Sequence, residues 1–506
     1  MGDSRNSRPL RSSELLVAFL LVAALSAAAV AWFHRSGSTL YYGDAEAHLN
    51  MARRILDSRT PGPFQIGAVW LPLPHLLMLP LVRNDGLWHS GLAGAIPSAA
   101  CFVVAAMFLF AAARRIYGDT AAAATTLSVF ALSPNLLYLQ SAPMTEPAML
   151  AAICALLYFA VRYRETQSTL WAVAAGLATA AASLTRYEGW FLIPCVTLFF
   201  LLAARRRRLL VAAIVGAIAS LGPLAWLAHN WWYWGDFLEF YRGPYSAMAI
   251  LERTMGSRRP RYRGEHDWRQ AWLYYREVMR LVLGGPAVWL GLAGMVAAAF
   301  KRALWPLALL VATPAFYVWS MHSGGEPIFM PHLWPYTYYN TRFGVTALPA
   351  LALAAGALMP SKFRAPAGLL VVLLLVVPWV LTPWPEGLIC WKESQVNSEG
   401  RRAWTREAAA YLRDHYRPGT GILMRFGDLA GVLREAGIPL RESLHEDNVP
   451  AWQAAVASPV FCLQEEWALA IAGDPVDTAI AAAKQFERVK TIALRGQPDV
   501  HIYRRN

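Results

Sequence analysis

The chain has 506 residues, of which 56% are hydrophobic and only 16% charged, well below the roughly 25% charged residues usual in soluble globular domains. Apolar surface on that scale belongs in lipid and excludes a single water-facing core. The formal net charge of +13 does not indicate nucleic acid, because the arginines cluster beside apolar runs, as the positive-inside rule requires.

The first apolar run extends from about Leu15 to Phe33, preceded by Arg5, Arg8 and Arg11. It is long for a signal peptide and many runs follow, so it reads as an uncleaved anchor. Further runs lie at roughly 90–112, 121–140, 146–161, 169–184, 188–204, 209–229, 281–300, 303–320, 342–359 and 366–382. The pattern predicts a polytopic α-helical membrane protein with about 11 transmembrane helices. With a cytoplasmic N-terminus, the inner turns hold Arg114–Arg115, Arg162–Arg164, Arg205 to Arg208, Lys301–Arg302 and Lys362–Arg364. The opposite parity would place all five basic turns outside, so it is rejected. The protein is therefore expected in the cell inner (cytoplasmic) membrane.

Three outer segments exceed simple turns: 35–89, 230–280 and 321–341. Beyond Trp384 the composition turns polar, with expected strands near Gly421–Phe426, Val460–Gln464, Val489–Leu494 and Val500–Tyr503. Helical patterns lie between them, around Asp428–Ala436 and Val476–Phe486. The expected organisation is a transmembrane domain over 1–383 and a small C-terminal α/β domain over 384–506 outside the membrane, periplasmic or extracellular. The five cysteines show neither a CxxC nor a metal spacing. Cys390 and Cys462 are the pair that a disulfide in the tail would join.

The first outer loop opens Tyr41-Tyr42-Gly43-Asp44-Ala45-Glu46-Ala47-His48. Asp44 suits the N-cap of a helix that continues through Leu49, Ala52, Arg53 and Leu56, with His48 one turn on over the same face. Apolar on one side and basic on the other, such a helix is expected along the membrane surface. The plain alternative is that Asp44 only caps this helix and Glu46 only favours its first turn. Other outer turns weigh against it. One reads Ser141-Ala142-Pro143-Met144-Thr145-Glu146-Pro147 and another Thr185-Arg186-Tyr187-Glu188-Gly189-Trp190. Parity brings Asp44, Glu46, His48, Glu146, Arg186 and Glu188 to one membrane face, where ionisable groups are costly unless solvated, paired or functional.

The same loop continues Ile66-Gly67-Ala68-Val69-Trp70-Leu71-Pro72-Leu73-Pro74-His75. Its prolines forbid a regular span and suit a re-entrant or interfacial segment, with Trp70 at headgroup depth. The outer segment from Asn230 carries Arg242, Arg253, Arg258, Arg259, Arg261, Arg263, Arg269 and Arg276 behind Trp231, Trp232, Tyr233 and Trp234. Arginine forks bind phosphate and aromatic rings pack on sugars, so an anionic lipid phosphate or ordinary membrane lipids would explain this basic outer loop. The third loop adds His322, Glu326, His332, Tyr336, Tyr338, Tyr339 and Arg342. Arg342, at the mouth of a span, is the best single candidate for a phosphate ligand.

An acidic Asp-x-Glu-x-His-like motif opening the first outer loop, a helix after it, and many spans followed by an outer domain resemble the GT-C superfamily of membrane glycosyltransferases. The likeness is to the protein mannosyltransferase and aminoarabinose transferase branch (glycosyltransferase family 39-like), and it covers about 1–380 in architecture. It implies a polyprenyl-phosphate-linked sugar as donor, a periplasmic acceptor and inversion at the anomeric carbon. The family's first-loop aspartate, the general base, corresponds to Asp44, and Glu46 and His48 correspond to the acidic and histidine positions after it. Ala45 separates two acids that are adjacent in protein mannosyltransferases. Glu46 and Glu146 would orient the base or bind a metal, and Arg186 and Arg342, with His48, Glu188, Tyr339 and Trp70 around them, would hold the donor. No cofactor is required; a divalent metal, Mg or Mn, on Asp44 and Glu146 is compatible with some members. A transporter or lipid flippase and a non-catalytic scaffold are the competing readings. Transporters usually carry ionisable groups at mid-membrane on broken helices.

Overall fold

Each apolar run is helical in the computed structural model, which describes residues 11–246, 249 and 262–506. Arg5, Arg8, Arg253, Arg258, Arg259 and Arg261 lie outside the described residues. Unbroken helices are Ser12–Arg35, Leu92–Tyr117, Glu146–Thr166, Thr169–Ser183, Glu188–Ala203, Arg208–Trp234 and Arg364–Val380. The run at 121–140 divides into Thr120–Ala131 and Pro134–Leu139, because Pro134 lacks the N–H needed to continue the first helix. The run at 342–359 divides into a 3-10 segment, Thr341–Ala347, and helix Leu348–Gly356. Helix Gly285–Phe300 meets Trp268–Leu283 at a bend of 112°. Gly284 occupies the corner at φ +81°, a left-handed conformation that glycine adopts without steric cost.

Among the described residues four helices are long and apolar enough to cross a membrane: Ser12–Arg35, Leu92–Tyr117, Glu146–Thr166 and Arg208–Trp234. The bent pair makes a fifth if counted as one span, and six shorter apolar helices run 10–17 residues, below the roughly 20 that a perpendicular span needs. The protein is a multi-pass membrane protein. Trp231 to Trp234, read as the start of a loop, form instead the last turn of helix Arg208–Trp234.

The chain forms two compact units. The first comprises the chain up to Ser36, Ala68–Pro74 and Ile96–Glu393; the second comprises Gly37–Gly67, His75–Ala95 and Ser394–Asn506. The tail thus shares its unit with most of the first outer loop, a division that differs from the expected boundary after 383. The physical reason is one apolar core. Leu49, Ala52, Met78, Val82 and Trp88 pack with Trp404, Ala408, Leu412, Ile422, Met424 and Leu469.

The second unit contains a five-stranded sheet: β1 (Ile422–Met424), β2 (Ser443–Leu444), β3 (Trp467–Ile471), β4 (Phe486–Ile492) and β5 (Val500–Arg505), in the order β2-β1-β3-β5-β4. β1 is parallel to β2 and β3, and β5 is antiparallel to β3 and β4. The strand expected near 460–464 is corrected. Pro459–Cys462 is a helical turn with proline in its first turn, and Phe461 is 89% exposed; the strand lies at β3, whose first four residues are buried. All five cysteines are free thiols, so Cys390 and Cys462 are not bridged.

His445 follows β2 and is fully buried. Burial pushes its pKa well below the usual value, and Arg54 and Arg59 add to the effect. The unfolded chain therefore takes up a proton near pH ~6.5 that the folded unit rejects. Stability is complete above about pH 6.5 and falls as the pH drops below it, by no more than about 1.4 kcal/mol per pH unit. Thermal melts between about pH 7.5 and 5.5 should show this loss, and His445→Asn should flatten it. An unchanged slope in His445→Asn would assign the loss to another group.

Candidate active site

The first-loop motif folds as helix Gly43–Arg54. Asp44 is not its N-cap. Tyr42 holds that position without a side-chain cap bond, and Asp44 falls in the first turn, where the helix dipole favours a carboxylate. Nor is this helix an amphipathic element on a membrane surface, because most of it is buried within the second unit. Its basic residues are neutralised there. Arg53 pairs with Asp57 at 2.9 Å and Asp85 at 2.7 Å, and Arg54 pairs with Asp447 at 2.7 Å.

The three motif residues have different surroundings. Glu46 is 6% exposed and paired with Arg401 and with Arg434, the latter at 2.9 Å. His48 is buried with its Nδ1 2.9 Å from Nε2 of His75. Asp44 is half-buried, keeping part of its surface to solvent. Asp428, exposed but crowded by protein, belongs to the same cluster. Crowding raises its pKa, and the Glu46 and Asp44 carboxylates add to the rise while Arg401 opposes it.

In the first unit the two acidic turns and the third-loop arginine converge. Glu146 and Glu188 each open a helix, Glu146–Thr166 and Glu188–Ala203, so the dipoles favour both carboxylates. Arg186 donates through Nη1 to Glu146 at 3.0 Å and to the Thr145 hydroxyl at 2.7 Å. Its Nε donates to Glu188 at 2.6 Å and its Nη2 to the Tyr317 hydroxyl at 2.8 Å. Arg342 donates through Nε to the same oxygen of Glu146 at 3.0 Å and lies 3.6 Å from Glu393. Both guanidiniums also lie over the ring of Phe343, at 5.0 and 5.2 Å. Glu146 is 2% exposed, and its other oxygen, Oε2, is buried with no hydrogen-bond partner among the described residues.

Glu393 braces this network. Its carboxylate accepts the backbone N–H groups of Asn340 at 3.0 Å and Thr341 at 2.7 Å, and the Thr341 hydroxyl. Burial raises its pKa, against the opposing pull of Arg342 and the Thr341 donors. Tyr339 is 40% exposed and bridges to Phe329 through the backbone. Trp70 lies half-buried in the irregular stretch before helix Leu73–Val82. There Val69 accepts a bond from the Tyr187 hydroxyl at 2.6 Å.

Sequence reasoning missed Tyr317, Phe343, Glu393, Arg401, Arg434 and Asp428. Asp428 and Arg434 lay in a segment already singled out as helical and Tyr317 and Phe343 in apolar runs, while no local motif marks Glu393 or Arg401. Among the described residues no group of three or more His, Cys, Asp or Glu is placed to hold a metal ion. Oε1 of Glu146 is taken by two guanidiniums, which disfavours a cation there.

Comparison with known proteins shows what this fold is similar to. A family model described as dolichyl-phosphate-mannose-protein mannosyltransferase matches residues 87–234. Across nearly the whole chain the structure is similar to ArnT from Cupriavidus metallidurans bound to undecaprenyl phosphate, with 15% identity and a TM-score of 0.56, covering 97% of this chain and 98% of that one. The apo form of the same protein gives 15% identity and 0.55, with 96% and 97% covered. The Archaeoglobus fulgidus oligosaccharyltransferase in complex with Zn and sulfate gives 13% identity and 0.50, covering 90% of this chain and 68% of that one. No curated protein matches the sequence. The resemblance to GT-C glycosyltransferases drawn from the first-loop motif and the span pattern holds.

Proposed function

We propose that the protein is an inverting glycosyltransferase that moves a sugar from a polyprenyl phosphate to an acceptor on the outer face of the cytoplasmic membrane. Asp44 takes the proton of the acceptor hydroxyl, and the acceptor oxygen bonds to the anomeric carbon from the face opposite the leaving group. The bond from that carbon to the phosphate oxygen breaks, and polyprenyl phosphate departs with the electron pair. Arg186 and Arg342 stabilise the charge growing on that phosphate, while Glu146 and Glu188 hold the two guanidiniums in place. The observation that carries the reading is the contrast within one helix. Glu46 and His48 are buried in pairs, whereas Asp44, in the first turn, is only half-buried. A base that meets an incoming hydroxyl needs such exposure.

Support for a lipid-phosphate donor comes from the family model and from the undecaprenyl phosphate bound by the structurally similar ArnT. The test is sugar transfer by the purified protein in lipid nanodiscs from a panel of polyprenyl-phosphate hexoses and pentoses. Release of polyprenyl phosphate with inversion from at least one donor is expected. A folded protein that neither turns over nor binds any donor would return the transporter and scaffold readings.

A further inference from the structure

Two arginines from the C-terminal segment grip the chain on both sides of Asp44. Arg401, on helix Ile389–His415, pairs through Nη1 with Oε2 of Glu46. Its Nη2 donates to the carbonyl of Tyr41 at 2.9 Å and to that of Leu40 at 3.3 Å. The neighbouring Arg402 guanidinium lies 3.9 Å over the Tyr41 ring. Arg434, on helix Ala430–Ala436, donates through Nε and Nη2 to Oε1 of Glu46 at 3.1 and 2.9 Å, and through Nη1 to the carbonyl of His89 at 2.6 Å. Both oxygens of Glu46 are therefore engaged. Gly431 completes the fit, because a Cβ there would collide with the Glu46 carboxylate.

This arrangement is specific in a way that simple docking does not require. Burying two guanidiniums around one carboxylate carries a desolvation cost that apolar residues of similar volume would avoid. In return it fixes the backbone just before Asp44 and the side chain just after it, so the first turn of the helix cannot swing. Reaction rates are sensitive to such placement, since a displacement of about 1 Å can cost about a hundredfold.

We propose that Arg401 and Arg434 are positioning residues that, through Glu46 and the carbonyls of Leu40 and Tyr41, hold Asp44 in the orientation needed for proton transfer. The C-terminal segment is then a working part of the transferase, and Glu46 acts as the handle by which it is held. The proposal rests on Asp44 being the base.

The test uses the full-length protein and a polyprenyl-phosphate hexose or pentose that it transfers, with Arg434→Met, Arg434→Lys and Gly431→Ala made in wild-type and Asp44→Asn backgrounds. Gly431→Ala displaces Glu46 without removing a charge, and Arg434→Lys keeps the charge while losing the fork. Arg434→Met and Gly431→Ala are expected to lower kcat at least about tenfold with donor KM held within about twofold. Arg434→Lys should restore part of the loss. None should reduce further the residual rate of Asp44→Asn. Amide exchange should quicken over 40–49 while the sheet stays protected. Faster exchange with unchanged kcat, or equal losses in both backgrounds, would overturn the proposal. An inactive Asp44→Asn beside fully active clamp variants removes this proposal alone, whereas a fully active Asp44→Asn removes the base reading and the proposal with it.

Discussion

Asp44→Asn is expected to lower sugar-transfer turnover by at least about a hundredfold, within the 10²–10⁴ range of general-base effects. The amide keeps the size of the carboxylate and loses only its charge and basicity. Asp44 is half-buried in the first turn of helix Gly43–Arg54, where the interaction of a carboxylate with the helix dipole is worth about 0.3–1 kcal/mol. A folded protein with a similar donor KM and a collapsed kcat is the pattern of an interaction made only in the transition state. Purified wild type and Asp44→Asn, compared at saturating donor with a thermal melt of each, give the answer. Undiminished turnover would move the base elsewhere. Glu46 is then a poor candidate, since both its oxygens are held by arginines, and Glu146 with its buried Oε2 becomes the next residue to replace.

What was legible in the sequence was what is encoded over a few turns of chain. Apolar runs gave the helices, and Pro134 shows why one run breaks in two. Glu146 and Glu188 were readable as a pair of outer-end acids, and Arg186 as the partner of Glu188, because the residues concerned are near in sequence or share a face by parity. The same local logic misplaced Asp44 as an N-cap, since capping propensity cannot register that Tyr42 already occupies the turn. It also placed a strand at 460–464 from β-branched and aromatic residues. Burial decides otherwise, and the strand forms at 467–471, where both neighbours, β1 and β5, can pair.

The long-range partners were invisible for a physical reason. Glu46 and Arg401 are 355 residues apart, and an arginine in a polar tail helix looks solvated until the fold buries it. The amphipathic reading of helix Gly43–Arg54 failed similarly. Its basic face is real, but Asp57, Asp85 and Asp447 cover it, so the helix sits inside a protein core. Glu393 lies in a stretch that local pattern assigns simply to the start of the tail. Its role follows only once the backbone of Asn340 and Thr341 is seen to point at it.

Glu146→Ala should destabilise the first unit by about 3–5 kcal/mol, the usual cost of removing one partner of a buried ion pair. The two arginines lose unequally. Arg186 retains Glu188, Thr145 and the Tyr317 hydroxyl, whereas Arg342 gives up a 3.0 Å bond and keeps Glu393 at 3.6 Å. Removing the Glu146 carboxylate leaves both buried guanidiniums less well compensated. Two further variants separate charge from packing. Glu146→Gln preserves an acceptor oxygen for both arginines and should lose less. Glu146→Ala with Arg342→Met removes both ends of the pair and should recover part of the stability, because an ion pair replaced by apolar groups of similar size is often neutral. Thermal midpoints of the purified protein in one lipid composition, measured over the full double-mutant cycle, report the coupling. A coupling near zero would mean that other groups compensate Arg342 fully when Glu146 is lost. The phosphate-binding role proposed for Arg342 would then not depend on Glu146, which would be left to hold Arg186.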